Sequence, residues 1–295
     1  WVDLYVPPGT KPCKYTSRVL LRLEGRKAIE IPLEVNVWPF DLPKTARMKT
    51  CFGATAPRLF SYLKGRRKGG DPRSLPSLEA LYDELASFTT AHKLNSYPLL
   101  EVRPRSDGSF KLSQGEISYL KAFVSRYHVN CLSVPPPQRF FKDPEREGEK
   151  IFSYLRSWDR VLESIGRPGL LLYTYLFDEP NTKEAYEKVR RWGRLIRSSG
   201  SKVKVLVTEQ TWPQDPSWGD LYGAVDIWVP LFSLFRPESA EKRRAKGEAI
   251  WTYTALCQGR PTPWWHIDYP LLHYRIPCWI CLLYTSDAAD EGLGV

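Results

Sequence analysis

The strongest constraint on the fold is a beat that sets in after Arg47, where short apolar runs alternate with apolar residues at helical spacing. Leu78, Leu81, Leu85 and Phe88 recur three and four apart. So do Ile117, Leu120, Val124 and Tyr127, then Ile151, Leu155, Trp158, Leu162 and Ile165, then Ala185, Val189, Trp192 and Ile196. This spacing puts each set on one face of a helix. Strand candidates lie between them at 48–53, 97–102, 130–134, 170–177, 203–208, 227–230 and 250–254. Apolar strands separated by amphipathic helices imply a parallel sheet buried on both faces, and so many in series imply an α/β fold closed as a (β/α)8 TIM-like barrel. A doubly wound open sheet is the alternative. No Gly-rich phosphate loop follows the first strand, which weakens its nucleotide-binding form.

The segment before this beat reads differently. WVDLYV, YTSRVLLRL and AIEIPLEVNVWPF are strand candidates, and Ile29, Ile31, Leu33, Val35 and Val37 alternate with period two. Residues 1–43 are therefore expected to be the last strands of a β-sandwich, closed by the linker Asp41-Leu42-Pro43, with the barrel over residues 44–280. From Cys281 the chain reads CLLYTSDAADE, which resembles a translated transposon-end adapter. The stretch after Ile280 lacks Lys and Arg in a chain rich in both. Residues 281–295 are thus expected to be an artefactual tail, the alternative being a C-terminal strand at LLYT with an acidic end. A barrel ending at 280 would lack its eighth strand and expose two edges, so the fragment is expected to be inactive or poorly soluble.

The net charge is +10, but Lys and Arg are spread along helical stretches and interleaved with Glu, as over 183–197 and 238–248. No nucleic-acid signature accompanies them, so no nucleic-acid partner is expected. No run of about 18 apolar residues marks a membrane helix. The six cysteines show no metal-ligand or disulfide spacing; Cys278 and Cys281 are set aside with the tail. Chemistry without metal or cofactor is expected, and no Ser-His-Asp constellation includes His266 or His273.

The most informative segment is LLLYTYLFDEPNT, residues 170–182. An apolar strand runs into Asp178 and Glu179, and Pro180 stops the ladder. In a parallel barrel, acids at the carboxyl end of a strand lie at the mouth where catalysis is found. Neighbouring carboxylates also raise one another's proton affinity, which can keep one protonated as a general acid. The non-catalytic alternative makes Asp178 or Asn181 the cap of a helix starting near Thr182.

VDLYVP, VWPFDLP, KTCFG, YLFDEP, VDIWVP, WTYTA and IDYPLLHYRIPCW, in that order, resemble glycoside hydrolase family 123 and the related domain-of-unknown-function family 4091, over nearly all of residues 1–279. The resemblance implies a β-sandwich before a (β/α)8 barrel, removal of N-acetylgalactosamine with retention of configuration, and a glycan or glycoconjugate substrate. Such a substrate in turn implies export. It also implies substrate assistance, an exception to the two-carboxylate scheme. Glu179 would protonate the leaving oxygen and then activate water, while Asp178 would steady the 2-acetamido group as its carbonyl oxygen attacks the anomeric carbon. Residues 251–258 contain no Asp or Glu for a nucleophile at the seventh strand end. Two alternatives stay open: a conventional two-carboxylate retaining glycosidase, and a non-catalytic carbohydrate-binding or structural barrel.

Trp212, Trp228, Trp251 and Tyr253 near strand ends are candidates for contact with sugar faces, core packing being the alternative for each. Tyr253 is the candidate donor to the acetamido carbonyl. Glu209, directly after the fifth strand candidate, is a candidate contact for a sugar hydroxyl. Tyr175 is expected in the barrel interior. Asp226 is expected to bond backbone or Arg, and Asp268 with Arg275 to be structural or at the pocket rim.

Overall fold

The computed structural model describes residues 4–51, 56–66, 76–255, 257–259, 262–264 and 269–284. The chain divides into two compact units, Trp1–Lys44 and Thr45–Val295.

In the first unit, β1 (Lys14–Leu21) pairs antiparallel with β2 (Ile29–Asn36), from Lys14 opposite Asn36 to Leu21 opposite Ile29. Ion pairs Arg18–Glu30, at 3.1 Å, and Lys14–Glu34 lace the ribbon. Pro32 is tolerated because a two-stranded ribbon has free edges. Leu4–Val6, inside the first expected strand, forms no ladder, and no second sheet is present among the described residues of this unit. A two-stranded ribbon with exposed Ile29 and Ile31 is marginal by itself, and among the described residues of this unit the hairpin is the only sheet.

The second unit is α/β. Its helices are α1 (Ala56–Arg66), α2 (Leu78–Ala91), α3 (Gln114–Arg126), α4 (Gly148–Ile165), α5 (Lys183–Ser198), α6 (Pro237–Arg244) and α7 (Leu272–Tyr284). Strands β3 (Cys131–Val134), β4 (Leu171–Asp178), β5 (Lys204–Thr208), β6 (Ile227–Trp228) and β7 (Ala249–Ile250) form one parallel sheet in the order β3-β4-β5-β6-β7. Side chains alternate between two faces as the pleat requires. Leu132, Leu172, Val205, Val207, Trp228 and Ile250 join the helices in the larger core. Cys131, Tyr173, Leu206, Ile227 and Val229 form a separate cluster on the other face, with Tyr175, Trp251 and Tyr253 against it.

Two expected strands form no ladder among the described residues. Residues 97–102 make no ladder, since Pro98 removes a donor there. The Asn95 amide also takes the edge groups of β3: its Nδ2 donates to Cys131 O at 2.7 Å and its Oδ1 accepts from the Asn130 amide at 3.2 Å. Residues 48–51 likewise form no ladder, and 52–53 lie outside the described residues. This stretch is held by side chains instead, with Asn130 Nδ2 donating to Ala46 O and Met48 O at 2.7 and 3.0 Å. Where a strand would supply backbone partners, asparagine side chains satisfy the groups and end the sheet.

The helical stripes of α3, α4 and α5 face the core. That of α2 is rotated: Leu81, Ala86 and Thr89 are buried, while Phe88 is exposed against the His92 ring. The rotation lets Thr89 Oγ1 meet Ser96 Oγ at 2.5 Å. The last helix, α7, contains Pro277, and Cys281 continues it across the expected tail boundary, where a strand was the alternative. Residues 285–295, and with them the rest of the expected tail, lie outside the described residues.

Close packing sets one position that helix propensity would fill otherwise. A Cβ on Gly193 in α5 would lie 2.1 Å from the Ala224 carbonyl oxygen. Alanine is favoured over glycine by about 1 kcal/mol in a helix interior, but overpacking costs about 1–3 kcal/mol or more. Gly193→Ala is therefore expected to lower the urea midpoint of unfolding, and an unchanged or raised midpoint would show that α5 has room to move.

Candidate functional site

The site is built at the carboxyl end of β4 by a break in the pleat. Tyr175 pairs with Leu206 and Phe177 with Val207, so Leu176 is an extra residue in the ladder. Without it, Asp178, three positions from Tyr175, would face the helices. The bulge flips the parity and brings Asp178 and Thr208 to the face that carries Tyr175. Gln138, in the turn after β3, donates its Nε2 to the Leu176 carbonyl at 3.3 Å.

Asp178 Oδ1 accepts from the Tyr175 hydroxyl at 2.6 Å and from Thr208 Oγ1 at 2.9 Å. Thr208 Oγ1 also accepts the Glu179 amide at 2.8 Å. One hydroxyl thus ties the side chain of one acid to the backbone of the next. Glu179 has φ +44°, a left-handed conformation that costs about 1–2 kcal/mol for a residue with a Cβ. Pro180, which disfavours the right-handed helical region before it, and the Thr208 bond both act on this residue. The Glu179 side chain takes a bond from the Tyr253 hydroxyl at 2.5 Å on Oε1. Both acids are exposed. Burial first, then the Asp178 carboxylate, pushes the Tyr175 hydroxyl up; burial first, then Glu179, does the same to Tyr253.

Helix capping does not occupy these acids. Thr182 caps α5, its hydroxyl accepting the Ala185 amide at 3.1 Å, which leaves Asp178 and Asn181 out of that role. Thr208→Val is expected to cost about 1–3 kcal/mol by orphaning the Glu179 amide and removing one of the two bonds to Asp178 Oδ1, with Thr208→Ser restoring most of it. Urea unfolding of the two variants checks this, and equal costs would assign the loss to the methyl group instead.

The other expected site residues divide. Trp251 lies on the same face as Tyr173, edge-on at 5.3 Å. Tyr253 reaches the site, but its proton goes to Glu179 rather than being free for a ligand carbonyl. Trp212 has the Arg236 guanidinium 3.5 Å over its ring, so one stacking face is covered. Trp228 is withdrawn altogether: it is 1% exposed in the helix-side core and donates to Glu248 at 2.7 Å. Its position in β6 has the parity of Val207, which decides the face. Glu209 is likewise 1% exposed, too buried to meet a sugar hydroxyl. Burial pushes its carboxyl up to about 7, partly offset by the Gln210 and Gln214 bonds and the nearby Tyr186 hydroxyl, with the Glu179 charge adding to the rise. Asp226 accepts the Val205 amide at 2.8 Å and pairs with Arg197 at 3.2 Å. Asp268 and His266 lie outside the described residues.

Thr208 and Gln138 were not legible as site residues in the sequence; only the TE dipeptide at the end of an apolar run marked the former. Among the described residues, no group of three or more His, Cys, Asp or Glu could hold a metal, and no helix is long and apolar enough to cross a membrane.

No protein-family model and no curated protein matches the chain. Among solved structures, it is similar to a mandelate racemase/muconate lactonizing protein from Geobacillus sp. Y412MC10, whose crystal structure holds magnesium and tartrate. The identity is 12%, the TM-score 0.24, and the likeness covers 50% of this chain. The chain spans 45% of the length of that protein, too little likeness to carry fold or chemistry across.

Proposed function

We propose that the chain is a glycoside hydrolase of the family 123 and 4091 type, removing terminal 2-acetamido sugars, as in N-acetylgalactosaminides, with retention and with the substrate's acetamido oxygen as nucleophile. The observation that carries this reading is the separate presentation of two adjacent acids at the end of β4. Asp178 Oδ1 is held by Tyr175 and Thr208, and Glu179 Oε1 by Tyr253. Each acid therefore has one oxygen with no protein bond among the described residues. Asp178 Oδ2 receives the acetamido N–H and steadies the positive charge that develops as the acetamido oxygen attacks the anomeric carbon. Glu179 Oε2 gives its proton to the leaving oxygen and then takes one from the water that opens the cyclic intermediate.

A barrel is the reading of the sheet that goes with this function. An open doubly wound sheet reverses strand order at a switch point and carries helices on both faces. Here the order is sequential, and among the described residues the cluster on the face opposite the larger core contains no helical residue. The conventional two-carboxylate scheme needs a second carboxylate about 5–5.5 Å from the acid and open to substrate, which neither Glu209 nor Glu248 supplies. Glu209 is enclosed, and Glu248 sits on the helix side between Trp228 and Arg243.

Hydrolysis of a panel of aryl glycosides by the full-length protein tests the reading. Turnover confined to 2-acetamido sugars is expected. Equal turnover of 2-hydroxy sugars would replace it with the two-carboxylate scheme. Sugar binding without any turnover would replace it with a binding barrel.

A further inference from the structure

Glu209 is a buried acid that this chemistry does not use. It directly follows β5, and its surroundings are donors. Gln214 Nε2 reaches both carboxyl oxygens at 2.8 Å, and the Gln210 amide reaches Oε1 at 2.6 Å. The Tyr186 hydroxyl on α5 accepts the Gln214 backbone amide at 3.4 Å. Gln214 Nε2 also lies 3.4 Å from Asn181 Oδ1, in the turn just after Glu179. Of the charged groups nearby, Glu179 acts on it from just beyond the end of β4. Arg190 on α5 is turned to the carbonyls of Trp218 and Asp220, and Arg236 covers Trp212. No ion pair to Glu209 forms among the described residues.

We propose that Glu209 is a positioning residue for Glu179: as a carboxylate it clamps Gln214, which latches the segment after β5 to the Pro180–Asn181 turn that carries the acid. Only the kinetic consequence rests on the glycosidase reading; the latch is a property of the fold. A carboxylate accepts every donor in this ring, whereas a protonated carboxyl brings a further donor and loses one bond. Since burial holds the Glu209 proton up to about pH 7, the latch closes as pH rises through neutrality.

The test is a carbon-13 NMR titration of the Glu-labelled protein, with kinetics beside it. The Glu209 carboxyl is expected to titrate near 7 and to move to lower pH in Glu179→Gln, because the two acids interact. The Asn181 side-chain amide signals should follow the same midpoint, and stop following it in Glu209→Gln and in Gln214→Leu. On a 2-acetamido aryl glycoside at pH 8, both variants should lose kcat by about tenfold or more with KM little changed, as a displaced acid would. Glu209→Gln should also lose the acid-side inflection near neutrality. Asn181 signals indifferent to the Glu209 titration, or a wild-type pH profile in Glu209→Gln, would overturn the latch. Coupled titrations without turnover of any sugar would leave the latch standing and sink the glycosidase reading.

Discussion

Glu179→Gln is expected to lower kcat on 2-acetamido aryl glycosides by about 10²–10⁴-fold, the usual worth of a positioned general acid and base. Asp178→Asn should cost about 10²–10³-fold, the scale of removing one preorganised electrostatic contact to a transition state. The two losses should differ in kind. An acidic phenol leaves without help, so the bond-breaking part of the Glu179→Gln loss should shrink along a series of increasingly acidic leaving groups. The Asp178→Asn loss should persist along that series, because the acetamido group must be steadied whichever group departs. Asp178→Asn also replaces the acceptor of the Tyr175 and Thr208 bonds with an amide oxygen of similar geometry, so the fold should survive and the melting temperature serves as the control. Losses under tenfold in both variants, from protein that melts normally, would remove these acids from the chemistry.

Trp228→Ala is expected to destabilise the second unit by about 3–5 kcal/mol, the range for a large buried aromatic cut to alanine. In a unit of this size each kcal/mol moves Tm by about 2–4 °C, so a drop of roughly 10 °C follows. The change empties a space in the helix-side core and also removes the 2.7 Å hydrogen bond to Glu248, a buried carboxylate then left with Arg243 at 3.8 Å and Arg197 at 3.9 Å. Trp228→Phe keeps most of the volume but not the N–H, so about 1–3 kcal/mol should remain lost. Thermal unfolding beside sugar-binding titrations checks this. A Trp228→Ala protein with normal Tm and weakened sugar binding would return the residue to the mouth of the site.

Much of the parallel sheet could be read from the sequence because its signals are local. The strands at 131–134, 171–178 and 204–208 are apolar runs between amphipathic stripes, and the helices α3, α4 and α5 bury the faces their spacing marks. The missing strands at 48–51 and 97–102 have the same apolar look, but a strand also needs a partner ladder. Which groups partner β3 depends on Asn95 and Asn130, whose side chains meet backbone distant in the chain.

The sequence by itself determined that Asp178 and Glu179 stand at the end of an apolar strand, because Pro180 ends the ladder there. Only the tertiary structure decided which way they point. Pleat parity puts residues an odd number apart on opposite faces, and nothing in LYTYLFDEP marks Leu176 as the residue that breaks it. The bulge appears once β4 is registered against β5, and from that register follow the bonds of Asp178 to Tyr175 and Thr208. The same holds for Glu209 and Trp228: their residue types allowed a place in the site, and the packing around each, on the helix-side face of β6 for Trp228 and just beyond β5 for Glu209, buried them. Burial is a sum over contacts from several elements, so it could not be written in any one of them.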